Sequence, residues 1–139
     1  MRTLLNERLG LKLCALSSLC FTLLVLVLPG DQLDQLSNSF WQLLGRDLQH
    51  DGPGILNDKL VHGLLFFCCA ISNVLAWVED AFGLWVTLIA LAVLGATTEI
   101  LQYFVPGRSM SALDWLADLV GVVFGALLAR RLQLRVIGR

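Results

Sequence analysis

The sequence predicts an all-α, polytopic membrane protein, a bundle of four transmembrane helices with both termini in the cytoplasm. Three observations carry that prediction. Of the 139 residues 57% are hydrophobic and only 15% are charged, with a mean hydropathy of +0.75. So little polar surface cannot cover a soluble domain of this size. The apolar residues gather in four segments, about 13–29, 60–78, 84–105 and 113–132, each near the roughly 20 residues that cross a bilayer. Finally, Arg2, Arg8 and Lys12 precede the first segment and Arg130, Arg131, Arg135 and Arg139 lie at or beyond the end of the last, which by the positive-inside rule places both ends in the cytoplasm.

Helix one has the basic start and apolar centre of a signal peptide. Its exit, Pro29-Gly30-Asp31, lacks the paired small residues that a signal peptidase needs, so the segment is expected to stay as an anchor. The outer loop, 30–58, is acidic and carries a spaced apolar set including Leu33, Leu36, Phe40 and Trp41. That pattern predicts a short interfacial helix that lies on the outer leaflet or covers what is beneath it as a lid. Helices two and three join through a tight turn at Glu79 and Asp80, expected in the cytoplasm without a basic residue. Pro106-Gly107 ends helix three by a turn, and helix four follows. Tyr103 and Trp115 are read as the outer aromatic belt, Trp77 and Trp85 as the inner one. Four helices form one compact bundle, so a single domain over residues 1–139 is expected. Cys14, Cys20, Cys68 and Cys69 lie within apolar segments, where a thiol behaves as a small hydrophobe, and no disulfide is expected.

Ionisable residues are costly in lipid, and here they recur at matching depths in three helices. Asp58, Lys59 and His62 open helix two, Glu99 and Gln102 lie near the end of helix three, and Asp114 and Asp118 near the start of helix four. Residues three or four apart share a helix face, so each set points in one direction. Helix four continues the stripe with Gly121 and Gly125, small residues that let a neighbouring helix, or a second copy of the chain, approach closely. Close packing there is expected to splay the acidic end open. Arg108 hangs over the cluster as counter-ion, with a planar guanidinium suited to carboxylate or phosphate. The net charge of −1 and the absence of a basic patch with interleaved aromatics exclude nucleic acid as a partner. Oxygen ligands with one imidazole could hold calcium, magnesium or manganese as a variant of such a site, but their spacing matches no metal-ligand motif, so neither a metal nor another cofactor is expected.

In order, these residues read Asp58-Lys59-x-x-His62-x-x-x-Phe66, then Glu99-x-x-Gln102-x-x-x-Pro106-x-Arg108, then Asp114-x3-Asp118-x2-Gly121-x3-Gly125. The pattern resembles the VanZ-like membrane family and covers residues 58–125, with Asp118 standing where the family pattern leads one to expect Asn. The resemblance implies a multi-pass protein of the cell envelope, in the inner or cytoplasmic membrane; the best-known member raises resistance to teicoplanin.

The leading functional expectation is an outward-facing polar cup in which Lys59, His62, Glu99, Gln102, Arg108, Asp114 and Asp118 bind an envelope lipid, a cell-wall precursor or an amphiphilic glycopeptide. Its competitor is a membrane-embedded enzyme acting on a lipid-linked or headgroup substrate. Glu99 or His62 would then be the general base, with Asp114 and Asp118 as further acid–base candidates, because crowded carboxylates divide acid and base roles. A purely structural cluster, in which the side chains only tie helices together, is the third reading. Interhelical hydrogen bonds in membranes average less than about 1 kcal/mol, which poorly accounts for so many costly groups in one place.

Overall fold

The computed structural model describes residues 2–33, 35, 39 and 55–137. Among them are four long helices in chain order, α1 (Arg2–Val27), α2 (Ile55–Trp77), α3 (Ala81–Gln102) and α4 (Ala112–Ile137), and no strand. Each contains a stretch long and apolar enough to cross a bilayer: Asn6–Val27, Asp58–Trp77, Ala81–Gln102 and Ala112–Leu134. At 1.5 Å per residue these reach about 30 Å, the thickness of the hydrocarbon layer. The protein is an all-α, multi-pass membrane bundle.

Helix ends differ from the hydropathy segments where polar residues continue a helix beyond the lipid. α1 starts at Arg2 rather than 13, because the Leu, Arg, Glu and Lys residues of its first turns favour helix whether or not they are buried. It stops at Val27, two residues before Pro29, which disfavours helix in the residue preceding it. α2 starts at Ile55 rather than 60 and so includes Asp58 in its first turn, where the positive end of the helix dipole favours an acid. α3 starts at Ala81 because the Asp80 side chain caps it, accepting from Gly83 N–H at 2.7 Å. It ends at Gln102, three residues short of the expected 105, where the backbone turns through Phe104 and Val105 toward Pro106. α4 runs on to Ile137, past the expected 132.

The α2 helix occupies the middle, packed against each of the others and most extensively along α4. Its inward face puts Phe66, Cys69 and Ala70 against Leu26, Leu91 and Val122, and one turn lower Val74 and Val78 against Ala126 and Ala129. The outward faces carry Leu64, Ile89, Val93, Val120 and Phe124, all exposed, as apolar residues are when lipid is their solvent.

One end of the bundle gathers the basic ends of the chain. Arg8 pairs with Glu79 at 3.0 Å, the Lys12 ammonium sits 4.8 Å from the Trp77 ring, and Gln133 of α4 donates to the Val74 and Val78 carbonyls that end α2. The acidic turn between α2 and α3 thus meets arginine from α1. At the other end, Gly30 N–H donates to the Pro106 carbonyl at 3.2 Å, and Gly107 has φ 74°, a conformation that favours glycine. A Cβ on Gly30 would lie 2.6 Å from the Gly107 carbonyl oxygen, so only a bare backbone fits at this contact. Of the outer loop, residues 30–33, 35 and 39 are helical, in keeping with the expected short helix. The rest of the expected lid lies outside the described residues.

Candidate functional site: a buried ionic cluster

The fold brings the polar residues of α2, α3 and α4 together at the end opposite the basic termini. Lys59 and His62 of α2 meet Asp114 and Asp118, one turn apart on α4, while Asp58, one turn before His62, meets Arg108. Lys59 Nζ meets Asp114 Oδ1 at 2.6 Å, and His62 Nδ1 meets Asp118 Oδ1 at 3.1 Å and Glu99 Oε1 at 3.6 Å. From the turn between α3 and α4, Arg108 Nη1 reaches Asp58 at 3.4 Å while its Nη2 points at His62 Nε2, also at 3.4 Å. Gln102 donates to the Leu26 carbonyl of α1 at 3.0 Å and lies 3.5 Å from His62 Nε2. His62 is the hub.

Nearly all of this is closed off. His62 and Asp118 are 0% exposed, Gln102 1%, Glu99 and Asp114 4%. The rim consists of Lys59 and Asp58, whose side chains keep 27% and 40% of their surface, with Arg108 at 8% between them and the centre. The expected splaying of the acidic end does not occur. Helices α2 and α4 stay in contact from Lys59–Asp114 down to Gly121 and Gly125, because the opposed ion pairs draw the polar end shut as the glycines do below. A Cβ at Gly121 would collide with the Gly63 carbonyl, and one at Gly125 with the Phe67 carbonyl. The small-residue stripe is therefore spent inside the bundle, against α2.

Two residues outside the polar set found by sequence shape the site. Ser111 caps α4: its Oγ accepts from Asp114 N–H at 3.3 Å, and its own N–H donates to Glu99 Oε2 at 2.7 Å. The signal was the spacing Ser111-x-x-Asp114, a helix start with an acid in its first turn. Gly95 on α3 is the other, since a Cβ there would lie 3.0 Å from Asp118 Oδ2. Its absence of side chain lets α3 close over that carboxylate. Trp115, expected in the outer aromatic belt, is half-buried and donates from Nε1 to the Ala92 carbonyl at 3.0 Å, so it joins α4 to α3. Tyr103, Trp77 and Trp85 are exposed on the outside of the bundle.

Charge does not close within the cluster. Arg108 and Lys59 each answer one carboxylate, Asp58 and Asp114, leaving Glu99 and Asp118 with one imidazole between them. Glu99 Oε1 and Asp118 Oδ2 are buried without a hydrogen-bond partner. Two sets of donor atoms, from Asp58, His62 and Asp114 and from His62, Glu99 and Asp118, each converge to within 4.8 Å.

Beside the cluster, on the lipid-facing side of α2 and α4, runs an apolar groove of about 410 Å³, lined by Leu60, Gly63, Leu64, Phe67, Ala117 and Phe124 among others and headed by Lys59.

The half of the bundle nearer the basic end holds a second, uncharged polar set. Ser18 and Ser72 lie 2.7 Å apart, Thr22 Oγ1 lies 3.6 Å from Cys69 Sγ, and Asn73 bonds the Cys69 carbonyl. Ser18 and Thr22 come from α1, which the sequence reading had not credited with polar contacts. Cys68 faces outward and Cys69 inward, and all four cysteines are free.

No curated relative and no solved structure matches the chain at a significant level. The family model described as VanZ/LLP1 matches residues 13–134, nearly the whole chain and all four helices, and the protein is a member of that family.

Proposed function

We propose that the protein binds an anionic amphiphile of the cell envelope, its charged head at Arg108 and Lys59 and its apolar tail in the groove between α2 and α4. Lys59 carries this reading. Its ammonium closes the ionic cluster through Asp114, and the same side chain heads the apolar groove, so the two chemistries of an amphiphile adjoin at one residue. Arg108, beside it, has a guanidinium whose fork fits phosphate or carboxylate. A lipid, a lipid-linked cell-wall precursor and a teicoplanin-type glycopeptide all have the required combination of ionised and apolar parts.

The reading places the chain, as one domain, in the inner or cytoplasmic membrane. With the basic termini in the cytoplasm, the ionic cluster lies toward the outer leaflet, where envelope precursors and glycopeptides are met. Asp114 and Asp58 hold Lys59 and Arg108 in place for the ligand.

Native mass spectrometry of the full-length protein, extracted from membranes containing both phosphatidylglycerol and phosphatidylethanolamine, tests this. Wild type should retain phosphatidylglycerol selectively, and both Lys59→Ala and the groove-filling Ala117→Leu should lose it. Equal retention of the zwitterionic lipid would sink the proposal. In a Gram-positive host, teicoplanin susceptibility compared between wild type, Glu99→Gln and empty vector at matched membrane abundance tests the glycopeptide. Absence of protection by abundant wild type removes that ligand and leaves the lipid.

A further inference from the structure

We infer that His62, Glu99 and Asp118 form a binding site for one divalent cation of the first transition row, manganese or zinc by chemistry. The inference does not depend on the amphiphile.

Three observations meet at this point. The first is geometric. His62 Nδ1 lies 3.1 Å from Asp118 Oδ1 and 3.6 Å from Glu99 Oε1. Imidazole and carboxylate donors that each sit about 2.1 Å from one zinc ion lie roughly 3 to 3.5 Å from one another. Small movements of these side chains would therefore seat an ion.

Unmet hydrogen-bonding capacity is the second. Glu99 Oε1 points at the imidazole yet has no hydrogen bond, and Asp118 Oδ2 has none either, although both residues are at least nine-tenths buried. A buried carboxylate oxygen left without a partner is costly, and an ion between these groups would answer both carboxylates.

Charge is the third. Once Asp58 is paired with Arg108 and Asp114 with Lys59, two carboxylates and a neutral imidazole remain, which a divalent cation balances. The same accounting picks out the inner donor set over Asp58, His62 and Asp114, whose acids already have their cations.

One imidazole nitrogen with two carboxylates suits manganese and zinc alike, and three protein ligands leave a coordination position open. The ion takes the place of the proton on Nδ1, which moves to Nε2, so the imidazole stays neutral and the charge count holds. Arg108 and Gln102 stand at 3.4 and 3.5 Å from Nε2, long contacts that can yield. Arg108 has Asp58 to turn to, and Gln102 keeps the Leu26 carbonyl.

The test uses full-length protein in nanodiscs, stripped with chelator and titrated with MnCl2 while the free-ion electron paramagnetic resonance signal is followed. Wild type should take up one Mn2+ per chain, displaced competitively by Zn2+. Glu99→Gln and Asp118→Asn should each weaken uptake by more than about 100-fold, the upper end of the loss seen for a residue that only supports a ligand. Asp58→Asn should stay within about tenfold of wild type. Electron spin echo modulation of the bound Mn2+ should show a single imidazole nitrogen, unchanged in His50→Gln, the variant that leaves His62 as the sole histidine. That reading is made on the intact cluster and decides the matter should either acid variant fail to fold. Wild type that leaves Mn2+ and Zn2+ free, bound Mn2+ without nitrogen coupling, or uptake lost in Asp58→Asn but kept in Glu99→Gln each overturns the site.

Discussion

Single atoms decide how closely these helices meet. The Gly121 and Gly125 backbones lie directly against the carbonyls of Gly63 and Phe67, so a side chain at either position must displace backbone, not a flexible side-chain tip. Gly121→Val is expected to destabilise the bundle by about 3 kcal/mol, the upper part of the usual range for overpacking. Thermal unfolding in detergent, followed by circular dichroism, should show a clear drop in Tm. Gly10, with nothing within 4 Å of its Cβ position, should tolerate the same change with little effect. The Lys59–Asp114 pair is a second residue-scale contact, and the lysine side chain is little more than a quarter exposed. Asp114→Asn leaves Lys59 without its partner, whereas the exchanged pair Lys59→Asp with Asp114→Lys keeps opposite charges face to face. The exchange should recover part of the Tm that Asp114→Asn loses, and recovery of none would show that the pair is held by its surroundings and not by mutual attraction.

At the scale of elements, caps and cross-ties set where helices start and which neighbours they keep. α3 has no acid in its first turn, and Asp80 supplies the oxygen that its free N–H groups require. Asp80→Ala should cost about 1 kcal/mol, visible as faster amide exchange in residues 81–84 than in the rest of α3. Trp115 ties α4 to α3 by the only indole bond among the described residues, to the Ala92 carbonyl. Trp115→Phe keeps the ring and removes the donor, and a loss of about 0.6 to 1.7 kcal/mol is expected from interhelical bonds of this kind in membranes. The test is the unfolding midpoint in detergent. No shift would mean the tryptophan contributes by packing alone.

The whole molecule has one basic end and one ionic, acid-rich end. Arg8, Glu79 and the last turns of α4 share the first, while Asp58, Arg108 and Asp114 mark the second. The positive-inside rule predicts the basic end in the cytoplasm. Green fluorescent protein fused after Arg139 should fluoresce and alkaline phosphatase fused there should be inactive. Active phosphatase at that position would invert the molecule and turn the ionic cluster toward the cytoplasm.

Much of this was legible in the chain because it is local. Hydropathy over about 20 residues marks a membrane span wherever it occurs, and the 3.6-residue period fixes which side chains share a face. The four spans and the three polar sets of α2, α3 and α4 follow from those two rules. Helix ends shifted by several residues, since hydropathy reports what lipid accepts and helices continue through polar residues beyond it. Partner choice was not local. Sequence set Arg108 over the cluster as counter-ion without choosing its acid; the structure gives Arg108 to Asp58, Lys59 to Asp114, and His62 to Glu99 and Asp118. Those pairings depend on the rotation and depth of one helix against another, which Gly63, Gly95 and Gly121 set by allowing backbone contact. The role of Ser111 and the contribution of α1 through the Leu26 carbonyl were hidden for the same reason. The sequence by itself determined that costly charges would share one end of a membrane bundle; only the tertiary structure decided which of them are answered and which two carboxylates are left with a single imidazole, because ion pairing is settled by a few ångströms between helices far apart in the chain.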